Sequence, residues 1–114
     1  MAECFYPKDG RKYFPQLKEL KPELFESFMA LNEKTFADGS LSTKMKELIA
    51  VAVAHTTRCP YCIESHIQKA QKAGATQEEI AESIFVAVAL NAGAAFAHSI
   101  ISLESLNPMG DQGG

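Results

Sequence analysis

The sequence predicts an all-α protein, a compact helical bundle whose central helical hairpin carries a Cys-x-x-Cys pair at a helix N-terminus. Three observations predict it. Apolar residues recur at helical spacing over most of the chain, from Leu24 onward. Thr76 with Glu79 has the form of a capping box, a helix-opening device. Cys59-Pro60 places proline where a first helical residue lacks a hydrogen-bonding duty for its N–H, with Cys59 at or beside the N-cap. One stretch competes: Ile49, Val51 and Val53 alternate as a buried strand would. Its length and the Leu, Ala, Met, Lys and Glu around it favour a buried helix.

Taken in order, residues 1–21 form an N-terminal arm. Pro7 and Pro15 prevent a long regular helix there, so an extended arm and then a short helical turn are expected, with Cys4 an incidental thiol. Pro22 suits the first turn of the next helix, in which Leu24, Phe25, Phe28, Leu31 and Phe36 recur at helical spacing. These read as core, with a substrate-pocket lining as the alternative for the phenylalanines. Asp38-Gly39 ends that segment, and Ser40 or Ser42 can cap a third helix from about Thr43 to His55. After a turn at Thr56-Thr57-Arg58, the reactive helix runs from Cys59 to Ala73 and stops at Gly74. The helix opened by Thr76 is expected to bury Ile80, Ile84, Phe85 and Val88. Asn91-Ala92-Gly93 is expected to interrupt it before a last helix from about Ala94 to Leu106. Residues 107–114 read as a flexible tail. No repeat or linker divides the chain, so residues 1–114 are expected to form one domain.

The totals narrow the function classes. A chain of 114 residues supports one modest core, and oligomerisation would add to its stability. A formal charge of −3 without a basic cluster argues against nucleic acid as the partner. The first ten residues lack the continuous apolar region of a secretory leader. The apolar runs also look too short for the roughly 20 residues of a membrane span. Three cysteines, two of them in one CxxC, suit a reducing compartment, and the cytoplasm is expected.

The chemistry concentrates between Glu47 and His66. Glu47 is the only acid in an otherwise uncharged run to His55, and such a carboxylate must find a partner or stay near water. Cys59, Cys62 and His66 fall on one face of a helix. Thiols near a helix N-terminus meet unpaired backbone N–H groups and the positive dipole end, which favours thiolate. In a hairpin turning near Thr57, Glu47 lies ten residues before the turn and His66 nine after it, so the two come side by side. His66 also lies one turn beyond Cys62. A carboxylate, an imidazole and a thiol in that order form a nucleophile, base and orienter.

Two other readings stay open on the residues alone. Zinc could take Cys59, Cys62 and His66, with Glu47, His55 or His98 as fourth ligand, although no second knuckle is present. The cysteines could also be inert or serve a redox-sensing switch in a non-catalytic helical oligomer. A thioredoxin-like site would need strands alternating with helices, which the pattern does not supply. His55, His98 and Tyr61 read mainly as capping or packing residues, with His55 and Tyr61 as weaker substrate-binding candidates.

The spacing Glu47-x11-Cys59-x2-Cys62-x3-His66 resembles the core motif of the alkylhydroperoxidase D-like proteins of the carboxymuconolactone decarboxylase family. The resemblance covers roughly residues 24–103. It implies an all-helical fold assembled as a homotrimer or hexamer, and a thiol peroxidase or disulfide oxidoreductase needing no cofactor or resident metal. Cys62 would attack a hydroperoxide, Cys59 would resolve the sulfenic acid as a disulfide, and Glu47 with His66 would relay the proton. A dithiol reductant, lipoylated or thioredoxin-like, would then restore the thiols. The sequence departs from the family's peroxidases at Tyr61, where those place a histidine. The decarboxylases of the family, the alternative activity, generally lack the CxxC.

Overall fold

A computed structural model describes residues 6–107. Every regular element among them is helical. A 3₁₀ turn at Gly10–Tyr13 leads into α1 (Phe14–Leu20) and α2 (Pro22–Phe36). These are followed by α3 (Thr43–Thr57), α4 (Pro60–Lys72), α5 (Gln77–Ala97) and α6 (Ser99–Leu106). Ile49, Val51 and Val53 all lie within α3, so the strand alternative is set aside.

Local chemistry explains most of the boundaries. Ser42 caps α3 by accepting from the Met45 N–H. At its end Arg58 adopts the left-handed region at φ 57°, rare for a side chain larger than glycine. The turn is held there because the Ala54 carbonyl accepts from both the Arg58 and the Cys59 N–H. Cys59 is the N-cap of α4 and Pro60 opens it. Gly74, at φ 99°, supplies the left-handed residue past the end of α4. The Thr76/Glu79 capping box is complete, with both reciprocal bonds made.

The helical hairpin α3–α4 is the centre of the fold, and α5 packs along α3 on another side. Between them sits a small core: Val51 and Ala70 are wholly buried, with Ala75 and Ile80 beside them and Leu48, Ile67 and Ile84 packed around. Burial of a side chain the size of Val51 contributes about 1.5–3 kcal/mol. α1 packs on α2, and α2 reaches α3.

Three expectations are corrected. First, α5 runs unbroken through Asn91-Ala92-Gly93, and the break comes at His98, which joins α5 to α6. Asn and Gly each cost a helix only about 1 kcal/mol or less relative to Ala, and the alanines around them sustain it. Second, many residues read as core are exposed in one chain, among them Leu24, Phe28, Leu31, Phe85 and Val88. The α3–α4 hairpin and α5 offer more apolar faces than they can cover in each other. The radius of gyration, 19.9 Å, accordingly exceeds the roughly 13 Å of a fully compact chain of this length. Third, the stretch 77–106 is long and apolar enough, by length and composition, to cross a membrane, its most apolar 18-residue window having mean hydropathy 1.9. Glu82 and Glu104 bracket an uncharged run that only Ser, Asn and His dilute.

Candidate functional site

The hairpin brings Glu47 and His66 together as its register requires. Glu47 is buried at 4% exposure on α3, and His66 Nδ1 donates to its Oε1 at 2.7 Å. The buried carboxylate has thus found the partner that burial demands. Phe36, at the end of α2, stacks on the imidazole with centroids 5.1 Å apart and planes 23° from parallel. With Nδ1 engaged by the carboxylate and one ring face covered, the nitrogen left over is Nε2, which then carries the lone pair.

Cys59 and Cys62 are joined as a disulfide, their Cα atoms 5.2 Å apart. Cys59 Sγ also accepts from the Cys62 N–H at 3.2 Å, so the sulfur acts as the cap of α4. Cys62 sits in the first turn, half-buried like His66.

Cys62 and His66 open on a cavity of about 520 Å³. Its walls come from the end of α2, the connection to α3 and the outer face of α3, including Asn32, Phe36, Leu41, Lys46 and Ile49. Cys59 does not line it. The α2–α3 connection is braced by Thr43, whose N–H donates to Asp38 Oδ1 and whose hydroxyl donates to the Phe36 carbonyl. Lys46 Nζ donates to the Ala37 carbonyl, tying the same wall to α3. Asn32 and Lys46 carry no motif that would have singled them out in the sequence. Phe36 was legible only as one of several helically spaced phenylalanines.

The other sequence candidates lie elsewhere. His55 Nδ1 donates back to the Val51 carbonyl one turn earlier, and His55 does not line this cavity. Tyr61 lines a different cavity, of about 400 Å³, with Tyr6, Pro7, Lys8, Pro60, Ile63 and Glu64. His98 is exposed at the α5–α6 junction, and Cys4 falls outside the described residues. Among the described residues no group of three or more His, Cys, Asp or Glu is placed to hold a metal ion.

Residues 22–104 match the profile of the carboxymuconolactone decarboxylase family. The chain is 51% identical over 82 residues to "uncharacterized protein 4 in cox locus" of Paracoccus denitrificans, covering 72% of this chain and 74% of that one. Among solved structures, the apo form of a carboxymuconolactone decarboxylase family protein from Legionella pneumophila superposes with a TM-score of 0.70. It is 36% identical, with 85% of this chain and 87% of that chain covered. A family protein from Thermotoga maritima, described with a suggested role in an antioxidative response, superposes with a TM-score of 0.55. It is 27% identical, with 78% of this chain and 94% of that chain covered.

Proposed function

The chain belongs to the carboxymuconolactone decarboxylase family, and from that premise we propose that it is a cysteine-based peroxidase or disulfide oxidoreductase acting on hydroperoxides. One observation carries the reading: His66, hydrogen-bonded to the buried Glu47, lines one cavity with Cys62, and the Cys62 sulfur is already bonded to that of Cys59. The suggested antioxidative role of the Thermotoga relative agrees with it.

In the proposed cycle His66 takes the Cys62 proton and Glu47 stabilises the imidazolium that forms. The thiolate attacks the near peroxide oxygen. An S–O bond forms as the O–O bond breaks, and the leaving alkoxide takes a proton from His66 to depart as an alcohol. Cys59 then displaces water from the Cys62 sulfenic acid to give the disulfide. Two electrons and two protons from a dithiol, carried on a lipoylated or thioredoxin-like partner, return both thiols. The cycle uses no cofactor. It is set in the cytoplasm, in a homotrimer or hexamer whose subunit is one domain spanning residues 1–114.

A titration of free thiols tests this. The chain holds three cysteines, and one equivalent of hydroperoxide should remove two thiols from the fully reduced protein. An unchanged titre would reject the reading.

A further inference from the structure

Tyr61 stands between the two cysteines, and the N-terminal segment converges on it. Arg11 Nη2 donates to the Tyr61 carbonyl at 2.8 Å, across fifty residues of sequence. The Tyr6 ring meets the Tyr61 ring edge-on, centroids 5.9 Å apart. Gly10 passes so close that a Cβ there would lie 3.1 Å from the Tyr61 hydroxyl. The segment is pre-shaped for this contact: Gly10 N–H donates to the Pro7 carbonyl, Lys12 N–H to the Asp9 carbonyl, and the Asp9 and Lys12 side chains pair at 3.1 Å. That pairing occupies the nearest acid on the segment and leaves the Arg11 guanidinium directed at α4.

We propose that Arg11 is a positioning residue for the cysteine pair. Docked on the Tyr61 carbonyl, it sets a permanent positive charge at a backbone position one residue from Cys62 and two from Cys59. It thereby raises the thiolate fraction of the reduced pair. The proposal rests on the reading that these cysteines work as thiols, and not on the identity of the oxidant. Arginine suits the task because its guanidinium stays charged at every relevant pH and its planar fork holds a carbonyl in a fixed direction. The pair is faced by other charged or titratable groups as well. Arg58 precedes Cys59, His66 with Glu47 lies behind Cys62, and Lys46 stands in the cavity wall. On the arm side are Lys8, Glu64 and the Tyr61 phenol. The Arg11 contact is exposed, so the charge acts through a water-like medium. In such a medium a unit charge is worth about 1 kcal/mol at 4 Å and less farther off, so the expected change in thiolate fraction is roughly threefold.

The test is the pH profile of iodoacetamide alkylation, measured on reduced full-length protein carrying Cys4→Ser. Removing a cation disfavours thiolate. Arg11→Gln should therefore slow alkylation near neutral pH by about threefold and raise the midpoint by about half a pH unit, leaving the alkaline plateau unchanged. Arg11→Lys should restore most of the wild-type midpoint. An unmoved midpoint in Arg11→Gln, or an equal slowing at every pH, overturns the proposal. A shifted midpoint in a protein whose thiols ignore hydroperoxide would instead sink the peroxidase reading and leave this one standing.

Discussion

His66 and Glu47 are held Nδ1 to Oε1 at 2.7 Å across the α3–α4 hairpin, the carboxylate side chain 5% exposed and the imidazole 16%. Removal of one partner acts on stability and on chemistry together. His66→Ala leaves a buried carboxylate without its hydrogen bond, which should lower stability by about 1–3 kcal/mol in urea unfolding. Glu47→Gln keeps an acceptor for Nδ1 and should cost less. In stopped-flow oxidation by hydroperoxide, both should slow the first step by about 10²–10⁴-fold, the worth of a positioned base. The double variant should be little slower than either single one, because the two act as a unit. Independent, multiplying losses would reject the relay.

At the other end of the core, the Thr76 N–H and then the Lys44 ammonium hold the Glu79 carboxyl below its ordinary value of 4.5. Its contribution to stability is fully present above that value. It is lost as the pH falls from there through the lower folded value. Urea midpoints taken from pH 7 to pH 3 should drop in that window, and Glu79→Gln should flatten the drop. Thr76→Ala, which removes the acceptor for the Glu79 N–H, should lower stability by about 1 kcal/mol at neutral pH.

The hairpin and its site were legible because their determinants are local or periodic. Ser42, Cys59-Pro60, Gly74 and Thr76/Glu79 each satisfy specific backbone groups, and counting from Thr57 places Glu47 beside His66. What stayed hidden depends on residues far apart or outside one chain. The contacts of Tyr61 come from Tyr6, Gly10 and Arg11, which no motif links to it. His55 turned back onto its own helix, a choice that spacing does not encode. The exposure of Phe28, Phe85 and Phe96 could not be read from periodicity, which marks apolar faces without saying what covers them.

Those uncovered faces carry an assembly prediction. Phe85 is 69% and Phe96 81% exposed, and a groove of about 560 Å³ between α3 and α5 is lined by Met45, Ile49, Val53, Val86 and Leu90. Contiguous apolar surface of this kind marks an interface. Sedimentation should give a mass three or six times that of the 12.4 kDa chain, the multiple following the family resemblance. Phe85→Glu with Leu90→Glu should shift the protein toward single-chain mass. A single-chain mass for the unaltered protein at micromolar concentration would reject the assembly. Recovery only in detergent would assign the 77–106 stretch to lipid instead.

The two thiols should differ, and Cys62 should be the nucleophile. Cys59 sits at the helix end, where the dipole alone would favour its thiolate by about 0.3–1 kcal/mol. Cys62 shares its cavity with His66, and through it reaches Glu47, whereas Cys59 lines no part of that cavity. A positioned base lowers the barrier by about 3–5 kcal/mol, so the relay outweighs the dipole. Cys62→Ser should therefore abolish hydroperoxide consumption. Cys59→Ser should complete one turnover and stop, because the resolving thiol that the cycle assigns to Cys59 is gone. Dimedone should then label Cys62, and mass spectrometry of the labelled peptide reads the site. Label on Cys59 in the Cys62→Ser protein, with none in the Cys59→Ser protein, would reverse the assignment. It would also mean that the helix terminus, rather than the buried Glu47–His66 pair, sets which sulfur reacts first.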